Sequence, residues 1–354
     1  MKNEHEKHDK TSTTAEQVYE LVREVGKRGE LVCIFTDLDD TVLVGKDAEK
    51  GYAPGDDPRR VEILPVAARA LQDITHKGGV VGVITNRGGH DAANYLRASG
   101  ISQSYIMGTY GWERYTMDNT SADADEVAID DRFRQHAPVI TRTLHELRNR
   151  VYDAFGQPTV DDGANILIPT HRDGVTLRDQ SPLIIQQKGV SAADGFPLGL
   201  ANIYNFNLMK VEDGNREKLK NIVESTYEAT ADVKGLWGMG GDAGNPQEMT
   251  RFTRGFEPLI KEGKAYAMIE MIRKIEETNK KIGLVIFSGD SNADADAMRA
   301  AKLLQTIRKD SMRSIGIWVQ GNSEQPSVQK RSDIHLKGPS ENAALLQGIA
   351  DALV

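Results

Sequence analysis

The sequence has a single cysteine, Cys33, so no disulfide can form within the chain. That usage fits a reducing compartment, and a cytoplasmic location is expected. Cys33 lies inside the apolar run LVCIF with no cationic neighbour in sequence, the setting of a packed core residue rather than a reactive thiol. No apolar stretch is long enough to span a bilayer, and no membrane association is expected. The opening segment MKNEHEKHDKTSTT lacks an apolar signal core. Residues 1–14 therefore read as a disordered, solvated tail in which His5 and His8 are at most weak metal ligands. Basic residues are short too: Lys plus Arg is 44 against 52 for Asp plus Glu, a formal net charge of -8. Without a basic field the chain is not a general nucleic-acid binder, and an anionic substrate must be attracted by local charge. Internal repeats and low-complexity tracts are also missing.

What is present suffices for a real core. The chain is 39% hydrophobic over 354 residues, enough for one large domain or two smaller ones. TAEQVYELVREVGKRG reads as an amphipathic helix capped by Thr13 or Thr14, with Val18, Leu21, Val22 and Val25 on its apolar stripe. Four short continuous apolar runs follow along the chain: LVCIFT, VVGVIT, GLVIFS and SIGIWV. Runs of this kind are strands of a parallel sheet covered on both faces. Helical patterns alternate with them: LPVAARALQDITHKGG, with Gly78 as its stop, GKAYAMIEMIRKIEETNKK, with Met268, Met271, Ile272 and Ile275 on one face, and NADADAMRAAKLL. This alternation predicts a Rossmann-like, three-layer α/β core with a parallel sheet. Between residues 113 and 256 the rhythm breaks. That stretch is more polar and mixes charged helices (PVITRTLHELRNRVYDAF, GNREKLKNIVESTYEAT) with strands (ANILIPT, SPLIIQQKG) and a Gly-rich segment, KGLWGMGGDAGN. It is expected to be an inserted α+β module. The division predicted is therefore a core of 15–112 and 257–354 around an insert of 113–256.

Four places carry chemistry. Asp37 and Asp39 in DLDDTV stand two positions apart just past a buried strand, where functional groups of open α/β sheets gather. Two such carboxylates repel unless a cation lies between them, and a hard divalent ion such as Mg²⁺ resolves this; a capped helix start is the other reading of the same residues. Thr85-Asn86-Arg87 ends the second run. There a hydroxyl and a guanidinium can meet a phosphoryl group, or form an ordinary strand-to-loop turn. Lys264 follows Gly263 and reads as opening a helix, out of place for the helix dipole unless an anion binds nearby; Lys261 is its rival. Asp290 and Asp294 in SGDSNAD follow the third run, placed to complete a metal site or to cap a helix.

The order and spacing of DLDDTV, VITNR, Lys264 and GDSNAD resemble the four motifs of the haloacid dehalogenase-like superfamily of phosphohydrolases. Within it the chain is most similar to trehalose-6-phosphate phosphatases. The stretches that carry this are YIMGTYGWERY, with Gly111-Trp112-Glu113, GFEPLIKEGKAYAM, with Glu257 ahead of the lysine, GDSNADADAM and VITNR. The likeness covers roughly 31–113 and 256–354 and is poor across the insert, which would be the substrate-reading cap. Three departures stand out. Asp40 occupies a position where these enzymes often have glycine, Ala293 one where threonine is usual, and Arg178 and Gln180 sites where a cap acid and lysine are usual.

The resemblance implies a Mg²⁺-dependent phosphomonoesterase for a phosphorylated sugar or sugar-like molecule. In it Asp37 is the nucleophile that forms an aspartyl-phosphate, and Asp39 is the acid and base. Mg²⁺ is held by Asp37, the Asp39 carbonyl and Asp290 with Asp294 in support, while Thr85 and Lys264 stabilise charge. Thr41, Asn86, Arg87, Glu113, Arg178, Gln180, Lys188 and Glu257 are the expected substrate-binding residues. Trp112 and Trp237 can stack on a sugar, though core packing is the commoner role. KGLWGMGGDAGN lacks the strand-turn-helix setting of a dinucleotide loop. Phosphatases of other phosphosugars, a phosphosugar mutase and a non-catalytic regulatory protein on the same fold stay open at this level.

Overall fold

The computed structural model describes residues 13–45, 61–85, 87, 89–108, 111, 113–117, 126–129, 184–190, 197–204, 238–240, 251–255, 257–278, 280–309, 311–321 and 326–353. It also describes ten helical positions between 146 and 226. Nearly all of the expected tail, Asn86, Trp112, the ANILIPT strand, Arg178, Gln180 and Trp237 lie outside the described residues.

An eight-stranded sheet organises the chain. β1 (Leu31–Thr36) is its middle strand. On one side it pairs in parallel with β4 (Val80–Ile84), which pairs in parallel with β5 (Ser104–Gly108). On the other side it pairs with β12 (Ile282–Gly289), followed by β13 (Arg313–Val319) and β14 (Ile334–Leu336), all parallel. The four apolar runs are β1, β4, β12 and β13. Every residue of β1 and of β12 is buried, as a sheet covered on both faces requires. The three-layer α/β architecture expected from the alternation is the one observed.

Successive residues of β1 face opposite layers. Val32 and Ile34 join a core with Val18 and Val22 of α1 (Ala15–Lys27), Leu71 and Ile74 of α2 (Pro65–His76), and Leu346 and Ile349 of the last helix (Pro339–Ala352). Cys33 and Phe35 join the other core, with Met268, Met271 and Ile272 of a long helix (Glu257–Glu276) and Ala297 and Met298 of the next (Asn292–Ile307). Burial pushes the Cys33 thiol above its ordinary range, in keeping with an inert packed residue. With α3 (Gly89–Ala98) and a short helix (Pro326–Arg331), these helices are numbered α4 (257–276), α5 (292–307), α6 (326–331) and α7 (339–352). Among the described residues no helix is long and apolar enough to cross a membrane.

Local chemistry sets the ends of these elements. Thr14 starts α1 with a reciprocal capping box: the Thr14 N–H donates to Gln17 at 2.8 Å, and the Gln17 N–H to the Thr14 hydroxyl at 3.3 Å. Gly78, at φ +82, follows the end of α2. Gly82 has to lack a side chain, because a Cβ there would sit 2.7 Å from the Phe35 ring.

Beyond β5 the sheet continues with two antiparallel strands, β6 (Glu113–Met117) and β7 (Glu126–Ile129). The composition shift near residue 113 thus precedes the end of the main sheet. A separate antiparallel sheet lies between β7 and α4 in sequence. It is made of β8 (Ile184–Val190), β9 (Pro197–Tyr204), β10 (Gly238–Gly240) and β11 (Arg251–Gly255), in the order β10-β11-β9-β8. The expected strand SPLIIQQKG overlaps β8. A two-stranded ribbon of β2 (Leu43–Gly45) and β3 (Val61–Ile63) follows the first acidic turn.

Phe35 is fully buried at the centre of its layer. Phe35→Ala is expected to cost roughly 3–5 kcal/mol of stability, read as a lower chemical-denaturation midpoint with an unchanged slope.

Candidate active site

Strand order places three functional segments side by side. β1 lies between β4 and β12, so their carboxyl ends open onto one crevice, the location where such sheets bind ligands. Asp37 follows β1, Thr85 follows β4, and Asp290 follows β12. The Asp37 N–H donates to the Ser288 carbonyl at 2.9 Å, which carries the pairing of β1 and β12 into the site.

The acidic turn after β1 is tight. The Leu38 carbonyl accepts from the N–H groups of Thr41, Val42 and Leu43 at 3.3, 3.1 and 2.7 Å. Asp40 adopts φ +53, a left-handed conformation that glycine takes freely and aspartate tolerates better than most residues. That is the physical reason glycine suits this position. The Asp37 carboxylate is fixed from within, accepting the Leu38 N–H at 2.8 Å.

Lys264 is the hub. Its Nζ lies 2.8 Å from Asp37 Oδ2 and 2.7 Å from Asp294 Oδ1, and all three side chains are buried. Burial would push the lysine down, yet Asp294 and Asp37 hold it above its ordinary value, so it is charged. The expectation that Lys264 opens a helix is corrected here. α4 begins at Glu257 and runs unbroken through Gly263 to Glu276, so the lysine sits in its interior. A glycine within a helix costs only about 1 kcal/mol, which the burial of Met268, Met271 and Ile272 on the same helix offsets. What places Lys264 is a pair of carboxylates, not a helix end. The side chain of its rival, Lys261, lies outside the described residues.

Asp294 both caps a helix and serves the site. Oδ2 accepts from the Ser291 N–H at 2.9 Å and the Ser291 hydroxyl at 2.6 Å, capping α5, while Oδ1 takes Lys264. Gly289 must be glycine for this to occur, since a Cβ there would fall 2.3 Å from the Asp294 carboxyl carbon. Ligand oxygens of Asp37, Asp290 and Asp294 lie within 4.8 Å of one another. Burial first, then Asp294 and Asp37, push Asp290 well above the usual carboxylate range. Burial likewise raises Asp37 to about 7 despite the opposing pull of Lys264. Oxygen-only donors strained by mutual repulsion fit a hard divalent cation. With Asp294 already committed, Asp37 and Asp290 would be its direct carboxylate ligands. Asp40 is raised as well, by burial and then by Asp39.

Asp39 turns to a different partner. Arg87 grips both of its oxygens, Nη2 to Oδ1 at 2.6 Å and Nε to Oδ2 at 2.9 Å, while the Asp39 side chain keeps 44% exposure. The guanidinium lies 5.1 Å from the centre of the Tyr95 ring. The Arg87 N–H donates to the Thr85 hydroxyl at 3.2 Å, tying the second segment together. Tyr95 and Ser291 were missed by sequence reasoning; Ser291, the first residue before a predicted acidic helix, carried a readable capping signal, and Tyr95 carried none.

The remaining expected residues fall in several places. Glu113 is buried, and its carboxylate accepts the Gly89 N–H at 2.6 Å at the start of α3. Thr41 is fully buried, and its hydroxyl has no hydrogen-bond partner among the described residues. Lys188 lies on β8 and Glu257 opens α4, with side chains outside the described residues.

Two predictions follow from this electrostatics. Lys264→Met leaves two buried carboxylates without their counter-ion and is expected to cost roughly 3–5 kcal/mol, measured by denaturation at neutral pH. The second concerns pH. An unfolded chain ionises Asp37 near its ordinary 3.8, whereas the metal-free native site holds the proton to about 7. Metal-free stability is therefore expected to fall as pH rises through that window. Binding of a divalent cation expels those protons, so the thermal stabilisation by added Mg²⁺ is expected to be larger at about pH 8 than at about pH 6. A pH-independent increment would contradict the assignment.

The sequence matches no family model and no curated protein. Solved structures do match. The C-terminal domain of C. albicans trehalose-6-phosphate phosphatase superposes with a TM-score of 0.56 at 12% identity, covering 97% of this chain and 100% of that one. The C-terminal domain of the Candida albicans trehalose synthase regulatory protein gives 0.55 at 9% identity, over 96% and 99%. Aspergillus fumigatus trehalose-6-phosphate phosphatase gives 0.50 at 10% identity, over 96% and 98%. At such identities the likeness speaks to fold alone: the chain has the three-layer α/β fold of these three structures.

Proposed function

We propose that this protein is a Mg²⁺-dependent phosphomonoesterase that acts on a phosphorylated sugar through an aspartyl-phosphate. The observation that carries the reading is the Lys264 ammonium held between Asp37 and Asp294 at 2.8 and 2.7 Å, with Asp290 alongside. A merely structural ion pair does not need a further carboxylate forced into the same buried space. The shared fold also occurs in a regulatory protein, so fold by itself does not separate an enzyme from a regulator; the intact set of acids, Thr85 and Lys264 favours the enzyme.

In this reading an Asp37 oxygen attacks phosphorus in line, an O–P bond forms, and the bond from phosphorus to the sugar oxygen breaks. Asp39 gives its proton to that oxygen. It then takes one from the water that cleaves the acyl phosphate and releases inorganic phosphate. Lys264 and the Thr85 hydroxyl offset charge on the transferring group, where positioning and electrostatics supply most of the acceleration. Asp37, Asp290 and the Asp39 carbonyl would hold a Mg²⁺ ion, which would supply positive charge to offset repulsion between substrate and nucleophile. Arg87 bonds both Asp39 oxygens, so proton transfer by Asp39 requires the arginine to yield one; a substrate phosphate is the natural rival for its fork. The core of 15–112 and 257–354 holds this chemistry, and the inserted stretch serves as the cap that reads the sugar, with Glu113, Arg178, Gln180, Lys188 and Glu257 as the first candidates in it and at its edge. The fold shared with trehalose-6-phosphate phosphatases supports a phosphosugar, and a cytoplasmic location suits the single buried thiol.

Asp37→Asn is expected to lower phosphate release at least a thousandfold with the circular-dichroism spectrum unchanged. Chelation should silence the wild type and Mg²⁺ should restore it. A panel of trehalose 6-phosphate, hexose phosphates and p-nitrophenyl phosphate, assayed for free phosphate, names the substrate class. Turnover that persists in Asp37→Asn would sink the nucleophile assignment, and isomerised sugar phosphate without free phosphate would identify a mutase.

A further inference from the structure

Beneath the acidic turn runs a buried polar network that the chemistry above does not use. Asn342, in the first turns of α7, is fully buried. Its side-chain amide donates to the Thr41 carbonyl at 3.0 Å and, at a longer 3.5 Å, to the Ser288 hydroxyl. Ser288 donates to the Thr36 hydroxyl at 3.0 Å, and Thr36 donates to the Asp37 carbonyl at 2.6 Å. Each hydroxyl accepts once and donates once, so the chain has a single direction, from the Asn342 amide to the backbone of Asp37. The other branch ends on Thr41. One side chain thus reaches both ends of the turn that carries Asp37, Asp39 and Asp40.

Its presence there is not accounted for by stability. Among the described residues the Asn342 carbonyl oxygen and the Thr41 hydroxyl are buried without a hydrogen-bond partner, and such groups oppose folding. The surroundings on α7 are apolar, with Ala343, Leu345, Leu346 and Ile349 all buried. A leucine would remove the orphaned oxygen and add apolar contact. What it would not supply is a donor for Thr41 and Ser288.

We propose that Asn342 is a positioning residue for the nucleophile, acting through the backbone of residues 37–41. Aspartate keeps its shape but offers an acceptor where the network needs a donor, and leucine offers neither. A shift of about 1 Å in a reacting group suffices for losses near a hundredfold, so small displacements of this turn register as rate. The catalytic part of the inference rests on the reading of Asp37 as nucleophile; the anchoring part does not.

The test compares wild type with Asn342→Asp, Asn342→Leu and Ser288→Ala. Two measurements are made: kcat and KM for p-nitrophenyl phosphate with Mg²⁺, and amide hydrogen exchange over residues 37–43. The Asn342 variants are expected to lose tenfold or more in kcat with KM within about twofold. Exchange in the turn should quicken while β12 and β13 keep their protection, and Ser288→Ala should fall between. A kcat within twofold of wild type, or a loss that tracks only the unfolded fraction while the turn exchanges as in wild type, would overturn the proposal. If the Asn342 variants do not fold, Ser288→Ala decides by the same two readouts. Should the wild type release no phosphate from any ester, the phosphatase reading falls, and exchange in the turn alone then supports or overturns the anchoring role.

Discussion

One buried ammonium between two buried carboxylates governs this site. Lys264 comes from α4, Asp37 from the end of β1 and Asp294 from α5, so a single charge cluster joins three elements that are distant in sequence. Taking such groups out of water is costly, and their mutual attraction repays this only with good geometry and satisfied oxygens. The surrounding hydrogen bonds meet that condition: Leu38 donates to Asp37, and Ser291 donates twice to Asp294. Asp290 joins the cluster: its carboxyl is driven upward by burial and then by Asp294 and Asp37, and its ligand oxygen lies within 4.8 Å of theirs. The arrangement that pairs the lysine therefore also gathers a third acid.

Much of the core was legible in the sequence because its signals are local and strong. LVCIFT and GLVIFS are continuous apolar runs, and only strands covered on both faces need them. The acids just past those runs then follow from the rule that ligands meet the carboxyl ends of strands. Met268, Met271, Ile272 and Ile275 repeat with helical spacing, and all four are buried. Lys264 was misread locally for a physical reason. Gly263 looks like a boundary, but tertiary packing carried the helix through it, a routine override of intrinsic preference. The strands at 113–117 and 126–129 are polar in composition, as a sheet's outer antiparallel strands have less need of apolar residues than its centre.

Other features left no mark in the sequence. The grip of Arg87 on Asp39 depends on where the chain after β4 crosses the end of β1, which only topology decides. The polar thread from Asn342 to Asp37 joins the last helix to the first strand, and nothing near Asn342 in sequence hints at it. Asp40 is an intermediate case. Its left-handed backbone makes sense of the glycine frequent at this position in similar enzymes, and its carboxylate adds one more acid to an already crowded rim. Glu113 secures the Gly89 N–H at the head of α3, a contact that links two segments the sequence does not connect.

The sheet's connectivity has a consequence for how the molecule is made. β1 emerges first, yet one of its two edges is completed only by β12, which lies beyond β11 and α4 in sequence. During synthesis β4 can dock on one side while the other edge waits with its amides unmatched. Contacts this remote in sequence form slowly, and open strand edges invite pairing with other chains. The stretch between them thus acts as a timer for the nascent polypeptide, and a cell making this protein has the most need of chaperone shelter in that interval.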